Sequence, residues 1–297
     1  MRAEAIEREP FSLLTQDGWG RGPWRRPVNS SRHEAGTIHD DATARQLGFA
    51  AGPVAGSIHF EQFEPLLRAV LGGGWSAGGS LSLWFDTPAF DGDALQARVE
   101  DSAAPRRRVR LARVDGSQIA QGSASIGVDA LGEVRARLQR LRPSEPPRML
   151  GAVLPGFTVA PLRVRVSAAE VDQRLPLLTE ALPEHQAAAG AARQVPLSTA
   201  IHAMRTFERG LPLDGVNGVG LFGAIEWQWR AGPLRVDQDV AVSACVLATG
   251  TSPRSEMLWT EATMSDASTG REIARMLMLS RLLKQGSPLW NLGETNS

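Results

Sequence analysis

The chain of 297 residues repeats part of its own sequence in its second half. The segment WFDTP at residues 84–88 is followed by GDAL at 92–95, and WRAGP at 229–233 is followed by DQDV at 237–240. Both the tryptophan and the proline recur at one spacing of 145 residues, which is close to half the chain. Because the elements around the match recur in the same order, the sequence predicts an internal duplication.

The first half is expected to place a helix before a set of strands. Hydrophobic spacing predicts a short helix near 41–47 and a longer apolar helix near 57–71, which ends at the glycines 72–74. Alternating residues predict strands at 80–86, 94–101, 107–114 and 118–127. A helix that is apolar on most of its surface suits a position inside a curved sheet.

The second half repeats this order with a longer insertion. We expect strands at 157–166, 221–230, 238–248, 255–265 and 271–282, and an apolar helix at about 198–209. Residues 168–182 are expected to form a helix, and the Ala- and Gly-rich stretch 186–194 a mobile loop. The predicted organisation is therefore a unit at 1–133, a proline-rich linker at 134–155, a second unit at 156–285 and a tail at 286–297.

Composition narrows the class of partner. Lys plus Arg number 32, and so do Asp plus Glu. The chain therefore lacks the excess of basic residues that is typical of a nucleic-acid-binding protein. Cys245 is the only cysteine and cannot form an intrachain disulfide. Neither a signal peptide nor a run of about 18 uncharged apolar residues is evident, which predicts a cytoplasmic protein without a membrane span. The expected partner is a small molecule or a second copy of the chain.

One stretch brings several chemically useful features close together. It runs from GTIHDD at 36–41 through ARQLGF at 44–49 to GPVAGSIHF at 52–60. It therefore holds a histidine, a short helix, a glycine-rich turn and the beginning of the apolar helix. Such an arrangement can build the floor of a pocket.

These residues, with the pattern PAFDGD at 88–93, resemble the MaoC-like hydratases and dehydratases. The resemblance implies an α+β double hotdog fold, in which two curved antiparallel sheets each wrap a central helix. It also implies a substrate that is an acyl thioester of coenzyme A or of an acyl-carrier protein, with no cofactor. Because hotdog sheets often pair, it is compatible with a homodimer.

The resemblance assigns roles to the loop before the short helix. In the (R)-specific enoyl-CoA hydratases of this family, an aspartate and a histidine five positions later hold the water that adds to the double bond. The matching positions are Glu34 and His39, and the Asn-Pro pair of the family is replaced by Gly36 and Thr37. Asp40 is either the carboxylate partner of His39 or the N-cap of the short helix.

Further roles follow at the entry to the central helix. Gly56 matches the glycine whose backbone N–H would bind the thioester carbonyl, and Ser57 is expected to assist it. Ala55 replaces the histidine that commonly precedes that glycine. His59 is expected either to face the pocket or to be a hydrogen-bonded core residue. The second half lacks a histidine at the corresponding place and is expected to be a catalytically degenerate scaffold.

Two other functions remain open at this point. The chain could be a non-catalytic hotdog that binds an acyl or polyketide-like ligand. It could also be a thioesterase, if Glu61 or Glu64 on the central helix faces the pocket. The arginines 106–108 suit either coenzyme A phosphates or, more in keeping with an arginine-rich chain, a solvated strand edge. The five histidines show no metal-binding spacing, so no metal is predicted.

Overall fold

The computed structural model describes residues 10–127, 132–186, 193–216 and 218–291. In the first half, the strands are β1 (Leu14–Gln16), β2 (Trp19–Arg25), β3 (Gly79–Phe85), β4 (Leu95–Glu100), β5 (Arg106–Arg113) and β6 (Gln118–Ile126). The helices are α1 (Asp41–Gln46), α2 (Phe60–Leu71), α3 (Trp75–Gly78) and α4 (Glu133–Gln139), and a 3₁₀ turn at Gly56–His59 leads into α2.

The second half has the same strand order with more short helices. Its strands are β7 (Thr158–Val164), β8 (Gly220–Trp229), β9 (Val240–Thr251), β10 (Ser255–Asp266) and β11 (Glu272–Leu283). Its helices are α5 (Ala168–Arg174), α6 (Leu197–Met204) and α7 (Pro288–Asn291), with 3₁₀ turns at Leu175–Leu177, Pro183–His185 and Arg205–Gly210. Most of the expected loop at 186–194 lies outside the described residues, as does the end of the tail, at 292–297.

The described strands form one antiparallel sheet of eleven strands in the order β1-β2-β4-β5-β6-β3-β8-β11-β10-β9-β7. The two halves meet where β3 pairs with β8, with Leu81 opposite Trp227 and Leu83 opposite Ile225. The two sheets expected from the sequence are therefore joined edge to edge into one continuous sheet. The pairing satisfies backbone N–H and C=O groups that two isolated edges would expose.

The two halves repeat one another in detail. Outward from the junction, the strand order is β3, β6, β5, β4, β2 on one side and β8, β11, β10, β9, β7 on the other. The segments that enter the two main helices are also anchored alike. Val54 donates its N–H to the carbonyl of Ala89 at 2.8 Å, and Val195 donates to the carbonyl of Leu234 at 2.9 Å. The halves are therefore related by an approximate twofold operation.

The main core lies between the helices and the concave face of the sheet. On α2, Phe60, Phe63, Leu66 and Leu67 are completely buried. Their three- and four-residue spacing turns one helix face towards the strands. Helix α2 ends at Gly72, whose φ of 95° lies in the left-handed region that favours glycine. Helix α6 of the second half packs against α2, so the two halves share one continuous core.

Helix α4 lies on the opposite face of the sheet, where the halves meet. Its residue Val134 is completely buried in a smaller cluster that includes Trp259 and Leu277. Arg137 places its guanidinium carbon 4.3 Å from the ring centroid of Trp84. The segment predicted as a linker thus begins at a helix that covers the β3–β8 junction.

Within the described residues, the helices are too short or too polar to cross a membrane.

A buried carboxylate anchors the end of that segment. Glu256 on β10 has no exposed surface. Its Oε1 accepts hydrogen bonds from the backbone N–H groups of Arg148, at 2.7 Å, and Met149, at 3.1 Å. Its Oε2 accepts from the N–H of Leu150 at 2.9 Å, and the indole N–H of Trp290 donates to Oε1 at 3.0 Å. One charged group therefore stabilises a turn that would otherwise leave several donors unpaired.

We expect Glu256→Gln to lower the free energy of unfolding by about 2 kcal/mol, because the amide turns one acceptor into a donor that faces a backbone N–H. Urea denaturation of the two proteins measures this difference. Glu145→Gln is the matched control, since Glu145 is exposed on the same segment. Equal losses in both variants would contradict the anchoring role of Glu256.

Candidate active site

A cavity of about 1270 Å³ lies between the two halves, beside the entries to α2 and α6. Both halves line it. The residues from the first half include Ser30, Glu34, Ile38, His39, Gly56, Ser57, His59 and Phe85. Those from the second half include Glu170, Arg174, Ser198, Thr199, His202 and Phe207. The motif singled out in the sequence therefore forms one wall, and the second half forms the other.

His39 is held in the cavity wall by its own loop. Its Nδ1 lies 2.8 Å from the carbonyl oxygen of Pro53. Because a carbonyl can only accept, this contact assigns the proton to Nδ1 and leaves Nε2 as an acceptor. The carbonyl of His39 in turn accepts a hydrogen bond at 2.8 Å from the side-chain amide of Asn29.

Gly52 allows the two arms of this loop to approach each other. A Cβ atom at that position would lie 2.0 Å from the carbonyl oxygen of His39. The Gly52 N–H donates to the carboxylate of Asp41 at 2.8 Å, and its carbonyl accepts from Asn29 at 3.1 Å. The loop geometry that orients His39 therefore depends on a position without a side chain.

Asp40 acts as a helix cap. Its Oδ2 accepts from the backbone N–H of Thr43 at 3.0 Å and from the Thr43 hydroxyl at 2.7 Å. These hydrogen bonds, that of the side chain first, lower the pKa of Asp40 below its usual value. The carboxylate thus closes the first turn of α1, which is the second of the two roles considered for it. The structure shows no hydrogen bond between its side chain and His39 among the described residues.

Glu34 lies in the cavity wall but does not contact the histidine five residues later. Its side chain is exposed, and its backbone carbonyl accepts from the hydroxyl of Thr37 at 2.7 Å. Within the described residues, Glu34 and His39 form no hydrogen bond or ion pair. Its negative charge instead raises the pKa of His202 in the second half. Desolvation and the charges of Arg205 and Arg174 lower that pKa by more, so the net shift is downward.

Gly56 and Ser57 begin the 3₁₀ turn that leads into α2, and both line the cavity. In the described part of the chain, neither backbone N–H has a protein acceptor. A Cβ atom at Gly56 would lie 2.7 Å from the ring of Phe85, so a side chain does not fit there without a shift of the ring. Two N–H groups at a helix entry therefore remain available to an oxygen of a ligand.

His59 is buried, with only 2% of its surface exposed. Its ring lies 6.2 Å from that of Phe85, and its Nδ1 has no hydrogen-bond partner within the described residues. Burial lowers the pKa of His59 to about 4, assisted by the positive charge of Arg113 and opposed by Asp93. The side chain is therefore neutral at pH 7. It is a cavity-lining core residue rather than a hydrogen-bonded one.

Glu61 and Glu64, the two glutamates considered for thioester hydrolysis, do not line the cavity. Glu61 is buried and accepts from the N–H of Thr179 at 2.6 Å and from the hydroxyl of Ser198. Desolvation raises the pKa of Glu61, although the hydrogen bonds from Ser198 and Thr179 oppose it. Desolvation also raises the pKa of Glu64, to about 7. Neither carboxylate is thus placed to act on a thioester held at Gly56.

The arginines 106–108 also lie away from the cavity. Arg106 donates to the hydroxyls of Ser80, at 2.8 Å, and Ser123, at 3.1 Å. Arg108 forms an exposed ion pair with Glu100. Among the described residues, no group of three or more His, Cys, Asp and Glu side chains is arranged to hold a metal ion.

Sequence reasoning missed the polar residues that the second half contributes. The hydroxyl of Thr199 lines the cavity, is buried and has no partner in the described residues. His202 is exposed to the cavity, yet nearby protein atoms desolvate it and lower its pKa. Both residues belong to the helix expected at 198–209. The spacing of its apolar residues did not indicate which face of the helix would lie against the first half.

The buried state of His59 predicts a dependence of stability on pH. Below pH 6.5 the unfolded chain binds a proton at His59, whereas the folded chain, with its pKa near 4, does so only at lower pH. The contribution of His59 to the free energy of unfolding is therefore fully present above pH 6.5 and is lost as the pH falls towards 4. The loss between pH 7.5 and pH 5 should be about 2 kcal/mol.

Urea denaturation of wild type and His59→Gln at both pH values isolates this contribution. The difference in stability between wild type and variant should fall by about 2 kcal/mol at pH 5, because the variant lacks the group. His33→Gln, at an exposed histidine, controls for the loss of a histidine. A difference that stays constant with pH would show that His59 is not held neutral.

The sequence matches no protein-family model and no curated protein. Its structure, however, superposes on solved structures along most of its length. A protein described as a MaoC domain dehydratase, from Chloroflexus aurantiacus, gives a TM-score of 0.62 at 11% identity, over 94% of this chain and 99% of that one. A conserved protein from Mycobacterium tuberculosis, described as having a double hotdog fold, gives 0.58 at 12% identity, over 93% and 97%.

The dehydratase domain of a polyketide synthase similar to mycocerosic acid synthase gives a TM-score of 0.50 at 13% identity, over 96% of this chain and 98% of that domain. At such identities the comparisons establish the fold. The order of the strands around the β3–β8 junction, the central helix of each half and these superpositions together identify the chain as a double hotdog protein that resembles the MaoC-like dehydratases.

Proposed function

We propose that the protein is a hydro-lyase that adds water to a 2-enoyl thioester or removes it from a 3-hydroxyacyl thioester. The carrier would be coenzyme A or an acyl-carrier protein. One observation carries the proposal. His39, with its Nδ1 held by Pro53, lines the same cavity as the unpaired N–H groups of Gly56 and Ser57. The neighbouring dehydratase structures are consistent with it.

His39 would act as the general base. Its Nε2 accepts a proton from water while the water oxygen bonds to the β carbon. The π electrons of the double bond then move towards the thioester oxygen, and the proton held by His39 passes to the α carbon. The reverse sequence expels water. Because only water and a proton are exchanged, the reaction needs no redox cofactor.

Gly56 and Ser57 would stabilise the charge that develops on the thioester oxygen. Their N–H groups lie at the entry to α2, where the helix dipole adds partial positive charge. Because the ring of Phe85 lies against Gly56, a side chain does not fit at that position, and the backbone N–H stays accessible. Since the donors belong to the main chain, the family histidine replaced by Ala55 is not required for this role.

The remaining wall of the cavity suits an acyl chain. Apolar residues from the second half supply much of it, among them Phe207, Leu211, Leu213, Phe222, Leu258 and Met278. Burial of a chain against such residues contributes about 0.8 kcal/mol for each CH₂ group. The substrate would therefore enter between the halves, with its reactive end at His39 and its apolar end along the second half.

A non-catalytic acyl-binding protein is the second candidate. The observation that favours it is the lack of contact between Glu34 and His39, which leaves the base without the carboxylate that the family supplies. The same cavity and the same N–H donors would then hold an acyl ligand without reaction.

The two candidates differ in one assay, which follows the absorbance of the conjugated thioester with trans-2-enoyl-CoA substrates of several chain lengths. We expect hydration by the wild type and a loss of at least about 100-fold in kcat for His39→Gln, because the base is removed. His33→Gln is the control, since His33 lies outside the cavity. If no enoyl thioester reacts while acyl thioesters raise the melting temperature, the binding function replaces the enzymatic one.

A further inference from the structure

The approximate twofold relation assigns a partner in the second half to each residue of the site. Val54 and Val195 make equivalent hydrogen bonds at the two helix entries and lie 141 residues apart. Seven residues further along the chain are Glu61 in the first half and His202 in the second. These two side chains therefore occupy corresponding positions on the two main helices.

The hydrogen bonds of Glu61 show which residues of the other half a side chain at that helix position contacts. Its carboxylate crosses to the other half, where it accepts from the N–H of Thr179 and the hydroxyl of Ser198. Counted back by the same 141 residues, Thr179 and Ser198 lead to Ile38 and Ser57, both of which line the cavity. His202 should accordingly reach the part of the first half formed by Ile38 and Ser57.

The cavity lining agrees with this correspondence, since Ile38, His39, Ser57 and His202 all line the one cavity. The other copy of the site is closed. There Glu180, which lies 141 residues after His39, forms a buried ion pair with Arg25 at 2.6 Å. Duplication has thus produced one filled site and one open site, and the open one contains a histidine from each half.

We infer that His202 is a further catalytic residue of the open site, contributed by the second half, which accepts a hydrogen bond from the reacting water on the side opposite His39. This inference rests on the proposed hydro-lyase function. Glu34 lines the same cavity as both histidines and forms no hydrogen bond or ion pair with His39 within the described residues. The second half is then part of the catalytic machinery as well as a scaffold.

Charged groups from three elements surround His202. Arg174 and Glu170 come from α5, Arg205 and Glu208 from the 3₁₀ turn after α6, and Glu34 from the first half. Desolvation by nearby protein atoms and the two arginines lower the pKa of His202, whereas Glu208 and Glu34 raise it. A neutral imidazole results at pH 7, and a neutral imidazole can donate from one nitrogen and accept at the other.

In the proposed step, the water lies between His39 and His202. Nε2 of His39 removes one of its protons as the oxygen bonds to the β carbon, and His202 accepts a hydrogen bond from the O–H that remains. The proton on His39 is then delivered to the α carbon, so the thioester gains the elements of one water molecule. His202 fixes the direction of attack without a net change in its own protonation.

The first experiment compares His202→Gln with the control His33→Gln in the hydration assay. We expect kcat to fall about 100-fold for His202→Gln while KM changes less than about threefold, because the residue contacts the reacting water and not the acyl chain. The control should retain the wild-type values. An active wild type whose kcat is unchanged by His202→Gln would contradict this inference and leave the proposed function intact.

The second experiment does not depend on turnover. Imidazole ¹⁵N resonances of the wild type are followed with butyryl-pantetheine, a saturated thioester that cannot be hydrated. We expect the signals of His39 and His202 to shift together, and that of His185, which lies outside the cavity, to stay in place. A shift of both signals in a protein without hydration activity would overturn the proposed function and the catalytic role of His202 with it, and would leave only the position of His202 at the ligand. A shift of His39 alone, or of neither, would overturn the assignment of His202.

Discussion

The pairing of β3 with β8 determines the rest of the architecture. It joins the two halves through backbone hydrogen bonds along Ser80–Trp84 and Ala224–Gln228, at the middle of the sheet. Because this pairing is antiparallel, the halves are related by an approximate twofold operation, which brings α2 against α6. The cavity lies beside these two helices, so its existence depends on a contact between strands that are far apart in sequence.

The same relation explains why only one of the two equivalent regions is open. In the closed region, charged groups fill the space and satisfy one another: Arg25 pairs with Glu180, and Glu61 accepts from Thr179 and Ser198. Buried charges are stable only with such partners, so the region cannot readily admit a ligand. In the open region, His39 and His202 line a cavity instead of a set of paired charges.

Local patterns predicted most strands of the sheet to within a few residues. The expected strands at 80–86 and 255–265 correspond to β3 and β10, and the long apolar helix near 57–71 corresponds to α2 with its preceding 3₁₀ turn. The strand β2 was not predicted, because its sequence WGRGPWR contains two glycines and a proline and lacks a clear alternation. It forms because pairing with β4 outweighs its weak intrinsic preference.

The sequence by itself determined the duplication, the double hotdog resemblance and the placement of His39, Gly56 and Ser57 in one pocket wall. The duplication depends on one repeat at a spacing of 145 residues, and the pocket wall depends on residues that lie close together in the chain, at 36–60. Only the tertiary structure decided that the two sheets are continuous, that Asp40 caps α1 and that Glu34 lies in the cavity wall without a contact to His39. The physical reason is that these outcomes depend on competing local hydrogen bonds and on contacts between halves, and no spacing along the chain encodes which of them prevails.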